Sequence, residues 1–252
     1  TLNMRIRKVD LATGTISTFA GDPEQANGSF LNDFGGDDGP AAEARLAGVR
    51  GMAFDSKGRL VFADSWDNDG GSWHHIRRID TDGTIESLVG VDDEHGFNGD
   101  GKPGRETLID YVNQVAVDAQ DNIYFADANN RRIRKYDVAT KIVSTVAGNG
   151  SEGTPEDGAV ATASPLNAPY GVQVDKEGHI FIADRGIRRL LMVDTDGKIR
   201  TVAGGGTFAG DGESTAIVLS EPHDLFLDPD GNLLFCDSRA ARVRKLWLQF
   251  GM

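Results

Sequence analysis

Few side chains in this 252-residue chain have the types and spacing to do chemistry, and they fall into three groups. The first is His223 with Asp224 beside it in "EPHDLFLD", an imidazole next to a carboxylate, the materials of a general base or a metal ligand. The second is a set of Asp- and Gly-rich stretches, "GGDDGP", "FNGDGKPG" and "FAGDGES". Their Asp37, Asp38, Asp100 and Asp211 are the carboxylates that a hard cation such as calcium wants clustered. The third is "SWDNDGGSWHH", which crowds Trp66, Asp67, Trp73 and His74 into one short stretch. On an exposed loop, two tryptophans serve glycan stacking or protein contact; the alternative is that they pack the insertion against its own blade. The other histidines, His75, His95 and His179, lie apart, His179 in the strand-like "GHIFIAD". There is no nucleophile elbow and no Ser/His/Asp set.

Composition narrows the classes. Acidic residues outnumber basic ones by 39 to 26, for a net charge of −13. That balance opposes binding to nucleic acid or an anionic membrane, where basic side chains must meet phosphates. The single cysteine, Cys236, excludes an internal disulfide and reads as a buried small hydrophobe. No apolar run approaches the roughly 20 residues of a membrane span. The chain opens at Thr1 rather than Met, and reads as a mature chain or an excised segment.

The elements that must position these residues show in a repeat. "VRGMAFDSKGRLVFADS", "VNQVAVDAQDNIYFADA", "YGVQVDKEGHIFIADR" and "HDLFLDPDGNLLFCDS" each hold an alternating strand, an Asp, a turn, a second strand and a closing Asp. The first Asp is Asp55, Asp118, Asp175 and Asp228; the second is Asp64, Asp127, Asp184 and Asp237. Third and fourth strands follow in "HHIRRIDTDGTIESLVG", "RRIRKYDVATKIVSTVAG" and "RRLLMVDTDGKIRTVAG", with hairpin chemistry at turns such as Thr81-Asp82-Gly83. The N-terminus carries an orphan pair, "MRIRKVDLATGTISTFAG", and the C-terminus a lone third strand, "ARVRKLW".

Four antiparallel strands per repeat imply an all-β propeller, since each blade buries its faces only against neighbours. One domain over 1–252 would hold a partial blade at 1–21, full blades at 49–90, 112–148 and 169–204, and a partial last blade at 222–252. Both ends carry the third-strand motif, so they cannot merge into one blade. About 4.5 blades result, expected to belong to a six-bladed ring with upstream residues missing; the alternatives are a five-bladed ring with one incomplete blade, or closure through a second chain. Unclosed blade edges would invite self-association. The glycine stretches fall between blades and read first as connectors. A phosphate loop there lacks the helix that it needs.

Three motifs carry a resemblance: the connector "GDDGPAAEARL", the run "NQVAVDAQDNIYFADANNRRIRKYD" and "STVAG". They are similar to the NHL-repeat family across essentially the whole chain. The resemblance implies a propeller and leaves function open among protein- and RNA-binding modules, extracellular interaction domains and a few enzymes. One such enzyme type, the amidating lyase, holds zinc with histidines at inner-strand starts, with Tyr and Arg nearby. Here His223, Tyr170 and Arg50 stand at such starts, but one histidine falls short of a catalytic zinc set. Lactonase-type propellers want carboxylates and Asn around calcium, for which Asn113 and Asp224 offer a beginning.

In a propeller the connectors and the loops between second and third strands share one face, at the mouth of the channel. There the inner-strand starts vary from blade to blade: Arg50, Asn113, Tyr170 and His223. On that face too lies the insertion, where Asp64 to Asp80 spans 16 residues against 10 from Asp127 to Asp137. The acidic connector Asp92, Asp93, Glu94 and His95 adds a solvated loop. The repeated second aspartates are in register with Arg78, Arg134 and Arg244 and read as structural. The chain is therefore expected to be a non-catalytic recognition module without a cofactor. It would bind a protein, peptide or glycan through Arg50, Trp66, Asp67, Trp73, His74, Asn113, Tyr170, His223 and Asp224, in an extracellular or periplasmic setting. The alternative is a metal-dependent lyase or hydrolase centred on His223, Tyr170 and Arg50.

Overall fold

The structure, a computed structural model, describes residues 4–22, 34–68 and 71–248. Asp67 is among the residues whose side chains lie outside that description. The molecule is nearly all β, with four antiparallel sheets arranged as blades of a propeller. The first complete blade orders its strands β4 (Val49–Phe54), β5 (Leu60–Asn68), β6 (Gly71–Ile79) and β7 (Thr84–Val89) from axis to rim, edged by the short β3 (Gly39–Pro40). The second repeats this with β9 (Val112–Val117), β10 (Ile123–Asp127), β11 (Arg132–Tyr136) and β12 (Ile142–Ala147), edged by β8 (Lys102–Pro103). The third has β14 (Pro169–Val174), β15 (Ile180–Asp184), β16 (Arg189–Val193) and β17 (Lys198–Gly204), edged by β13 (Ala159–Val160). The last blade has three strands, β18 (Pro222–Leu227), β19 (Leu233–Asp237) and β20 (Arg242–Leu246). Two strands, β1 (Ile6–Val9) and β2 (Ile16–Ala20), form the half-blade at the N-terminus.

The edge strands come from the connectors, so the glycine stretches are architecture: Gly39-Pro40 and Lys102-Pro103 pair with the rim strand of the blade that follows them. A single 3-10 turn comes next in each. No helix among the described residues is long and apolar enough to cross a membrane.

The core lies between blades. Val61, Ala63 and Ile76 of the first complete blade interlock with Val115, Phe125 and Tyr136 of the second. Ala126 and Ile133 meet Val172, Ile182 and Leu191 in the next layer. Phe181, Leu190 and Met192 meet Leu225, Leu233 and Phe235 in the last. Every blade thus has two apolar faces, and burial at about 25 cal/mol per Å² holds only while both are covered. Cys236 is half-buried rather than buried, because its strand belongs to the last blade, with one lateral face open.

The inner strands share an irregularity. Each bulges against its neighbour, between Val49 and Met52, Val112 and Val115, Pro169 and Gly171, and Pro222 and Leu225. Arg50, Asn113, Tyr170 and His223 sit inside those bulges, which re-aim side chains out of the regular alternation. The axis is tight: a Cβ on Gly171 would come within 2.3 Å of the His223 backbone oxygen.

Candidate functional site

The buried second aspartates build the mouth from below. Asp64 accepts the Gly48 N–H at 2.7 Å, Asp127 the Asp110 N–H at 2.8 Å, and Asp184 the Asn167 and Ala168 N–H groups at 2.8 and 3.0 Å. Asp237 accepts from Ser220 and Glu221 at 2.9 and 2.8 Å. Each carboxylate therefore fixes the approach to an inner strand. Three of them also face an arginine of the third strand: Arg77–Asp64 at 3.3 Å, Arg134–Asp127 at 3.6 Å and Arg244–Asp237 at 3.3 Å. The alignment's Arg78 is corrected to Arg77. Arg78 is on the other face of its strand and pairs with Glu86.

The same arginines take up three of the aspartates considered for calcium. Asp37 binds Arg77 at 2.7 Å and Arg105 at 2.9 Å, Asp100 binds Arg134 at 3.1 Å, and Asp211 binds Arg244 at 3.0 Å. The fourth, Asp38, is in a turn at φ 63°. Each of the three serves its own blade, and the set does not converge on an ion. Burial pulls the Asp37 pKa upward, but Arg77, Ser87 and Arg105 together outweigh it and hold the carboxyl below its usual range. Desolvation wins at Asp64 and Asp184, whose pKa values rise, and lifts Asp127 to about 7 against the opposing Arg134.

On this frame the four variable inner-strand residues form a contiguous arc. Arg50 donates from Nε to the Ser65 carbonyl at 3.0 Å and from Nη1 to Asn113 Oδ1 at 3.2 Å. Its guanidinium lies 4.2 Å over the Tyr111 ring. Tyr111 and Tyr170 are 6.1 Å apart between centroids, and Tyr170 meets His223 edge-on at 4.9 Å. Arg185 donates to the Tyr170 hydroxyl at 3.2 Å and pairs with Glu221 at 2.8 Å. His223 Nδ1 is 3.4 Å from exposed Asp224. One residue beyond Asn113, Gln114 ties three inner strands: it donates to the Leu225 carbonyl and accepts from Val172 and Leu225 N–H.

Tyr111, Arg185 and Glu221 were not singled out from sequence, yet a signal was present. They occupy repeat rows that vary from blade to blade as the inner-strand starts do: Gly48, Tyr111, Ala168 and Glu221 two residues earlier, and Ser65, Ala128, Arg185 and Ser238 after the second aspartates. Tyr111 also holds φ at 54°, a costly conformation for a bulky side chain, which persists where surroundings enforce it.

The insertion is not the exposed loop that its polar residues suggest. It prolongs the β5–β6 hairpin, pairing Ser65 with His74 and Trp66 with Trp73. Trp73 is 7% exposed and His74 is fully buried. The Ser65 hydroxyl is hydrogen-bonded with His74 Nδ1 at 2.8 Å and accepts the Val112 N–H at 3.0 Å, clipping the hairpin to the next blade. Asp110 lies 3.5 Å from His74 Nε2. Ser65, His74 and Asp110 thus stand in sequence, but the hydroxyl is fully buried and engaged, so it is not a nucleophile. His75 is buried against Phe34, ring on ring at 4.1 Å, and desolvation lowers its pKa to about 3.

Among the described residues, the one cluster whose ligand atoms converge is Asp175, Glu177 and His179. His179 precedes its strand and binds Asp175 at 2.7 Å, in the place where Arg59, Asn122 and Asn232 bind Asp55, Asp118 and Asp228. It is a turn bond of the repeat.

No family model matches the chain. It is 30% identical over 220 residues to NHL repeat-containing protein 2 of Bos taurus, covering 77% of this chain and 29% of that protein. It is 27% identical over 246 residues to teneurin-3 of Danio rerio, covering 84% of this chain and 8% of that one. The chain thus spans under a third of the length of either relative. An auxiliary nutrient binding protein from Bacteroides ovatus superposes with a TM-score of 0.53 at 17% identity, over 96% of this chain and 63% of that one, a likeness of fold alone.

Proposed function

The chain belongs to the NHL-repeat β-propellers, a fold that does not fix a chemistry, and from that premise we propose that it is a non-catalytic recognition module binding a protein, peptide or glycan at the channel mouth. The observation that supports this is the arc itself. Asn113, Arg50, Tyr111, Tyr170 and His223 touch in that order and come from all four blades, and all but Tyr111 are carried on bulges of otherwise regular strands. Aromatic faces beside hydrogen-bond donors are what a concave recognition site needs. Trp66 borders this face from the prolonged hairpin, its ring against Gly48. An extracellular or periplasmic setting accords with the acidity.

The test is a set of glycan and peptide arrays read with wild type and with Tyr170→Ala and His223→Ala. Ligands retained by wild type and lost by both variants are the expected result. Ligands retained by all three would move the site elsewhere.

A second reading, a metal-dependent lyase or hydrolase centred on His223, Tyr170 and Arg50, has one observation in its favour. The Arg185 guanidinium donates to the Tyr170 hydroxyl, which fixes a Tyr–Arg pair beside His223. Metal analysis of wild type and His223→Ala separates the two readings. Stoichiometric zinc or calcium that disappears on substitution establishes the enzyme reading; retention of ligand binding after chelation establishes the recognition reading.

A further inference from the structure

The donors of the mouth are out of balance, and the imbalance points to a ligand class. Asn113 is 6% exposed, and its Nδ2 has no hydrogen-bond partner among the described residues. Its orientation is fixed, because Oδ1 accepts from Arg50 Nη1 and so must be the oxygen. A buried amide donor left unmet is costly, so its persistence needs a reason. Beside it, Arg50 spends one N–H on the Ser65 carbonyl and one on Asn113, of the five that a guanidinium carries. Stacking on Tyr111 holds its plane. The nearest acidic groups of the arc are engaged: Glu221 pairs with Arg185, and Asp224 faces His223. The spare N–H groups of Arg50 and the Asn113 amide are thus met by no carboxylate of the arc.

We propose that the Arg50–Asn113 corner of the mouth binds a single carboxylate carried on a ring-shaped body, of the hexuronic acid class. The oxygens take the fork of Arg50 and the amide of Asn113, a charge-assisted pattern that guanidinium geometry favours. The ring lies against the inclined faces of Tyr111, Tyr170 and His223, at 54° and 69° to one another. The net charge of −13 disfavours a polyanion, which confines the ligand to one carboxylate on an otherwise neutral body. This rests on the mouth being a recognition surface, and the test keeps the two apart.

The experiment is a calorimetric and NMR titration of the full chain with D-galacturonate, its methyl ester and D-galactose, plus a short peptide with a free or an amidated C-terminus. The expected result is binding of the uronate, at least tenfold weaker binding of the ester and galactose, and a similar loss in Arg50→Met. Asn113→Asp, which sets a competing carboxylate against Arg50, should abolish binding while leaving the melting temperature nearly unchanged. Equal binding of uronate and ester overturns the carboxylate inference and leaves the recognition reading intact. Binding only of the free-acid peptide overturns the uronate class in the same way. If none of these probes binds and the arrays show no dependence on Tyr170 or His223, both readings fall.

Discussion

Asp184 is the buried carboxylate that does without an arginine. Leu191 stands where the other blades have Arg77, Arg134 and Arg244, and Thr154 where their connectors have Phe34, Phe97 and Phe208. Phe34 and Phe97 cover Arg77 and Arg134 at 4.5 and 5.0 Å, so ring and cation leave that blade together. Asp184 is kept satisfied by Gly186 and Ile187 N–H groups in addition to the two from its connector. Asp127 has no such reserve, since its Oδ2 faces only Arg134. Arg134→Leu should therefore destabilise the protein by about 3–5 kcal/mol, as removal of one partner of a buried pair does. Arg134→Leu combined with Asp127→Asn should recover part of that loss in a urea melt. If the double variant is no more stable than the single one, the carboxylate is not the source of the cost.

His75 gives a prediction with a sign. Its folded pKa of about 3 lies below the ordinary 6.5, held down by burial and by the cation of Arg77, against the opposing pull of Asp37. His74 and Arg105 add smaller downward effects, and Asp92 reaches its Nε2 from the surface. Between those values the unfolded chain binds a proton that the folded chain refuses. The stability that neutral His75 supports is therefore complete above pH 6.5 and is lost as pH falls toward 3. The loss approaches about 1.4 kcal/mol per pH unit in that window. His75→Phe keeps a ring against Phe34 and removes the titration. The difference in melting free energy between variant and wild type should shift in favour of the variant from pH 7 to pH 4, and a flat difference would refute the assignment.

At the scale of the element, the prolonged hairpin shows what sequence could and could not reveal. Strands, turns and blade order were legible because alternation, Asp-Gly turns and the repeat agree. The variable residues at the inner-strand starts were legible as a set for the same reason. The hairpin misled because its polar composition outweighed a signal that was present: Trp66 and Trp73 stand on either side of the turn residues and pair across the hairpin. The arc's missing members, Tyr111, Arg185 and Glu221, were obscured by a different cause, since contact between rows of different blades arises from tertiary packing and the repeat alone does not encode it. The Arg78 error was a slip of one residue, which in a strand reverses the face. The hairpin carries its own prediction. Trp73→Ala should cost about 3–5 kcal/mol, the range for truncating a buried Trp. Ser65→Ala should cost about 1–3 kcal/mol by stranding the Val112 N–H. Hydrogen exchange should show amides 72–75 protected in wild type and released in Trp73→Ala; fast exchange there in wild type would restore the loop.

At the scale of the molecule, the repeat supplies its own control for the last blade. Ile76, Ile133 and Leu190 occupy the same position on their third strands and are fully buried. Val243 occupies it on β20 and is 70% exposed, with Trp247 nearby at 67%. The difference has a visible source: Val243 pairs with Cys236 on the lateral face that no further blade covers among the described residues, where the other three meet the next blade, and β20 also has β19 on one side and no described strand on the other. A cavity of about 720 Å³ runs along that side, lined by Ala203, Ile217, Phe235, Val243 and Trp247 among others. Each complete third strand pairs outward in one register with a bulge at one place, as Ile133 with Ala147 and Arg134 with Thr145. The outer edge of β20 is therefore a template of known register. Appending a turn and the sequence of residues 198–204 after Leu248 should supply the fourth strand. The ladder bonds and the filled cavity should then raise the melting temperature, and the emission of Trp247, which lines that cavity, should shift to shorter wavelength. An unpaired edge with exposed apolar residues also favours pairing between molecules. Sedimentation should accordingly show concentration-dependent association in wild type that the appended strand removes. A monomer at all concentrations, unchanged in melting temperature by the appended strand, would mean that this edge is stable uncovered.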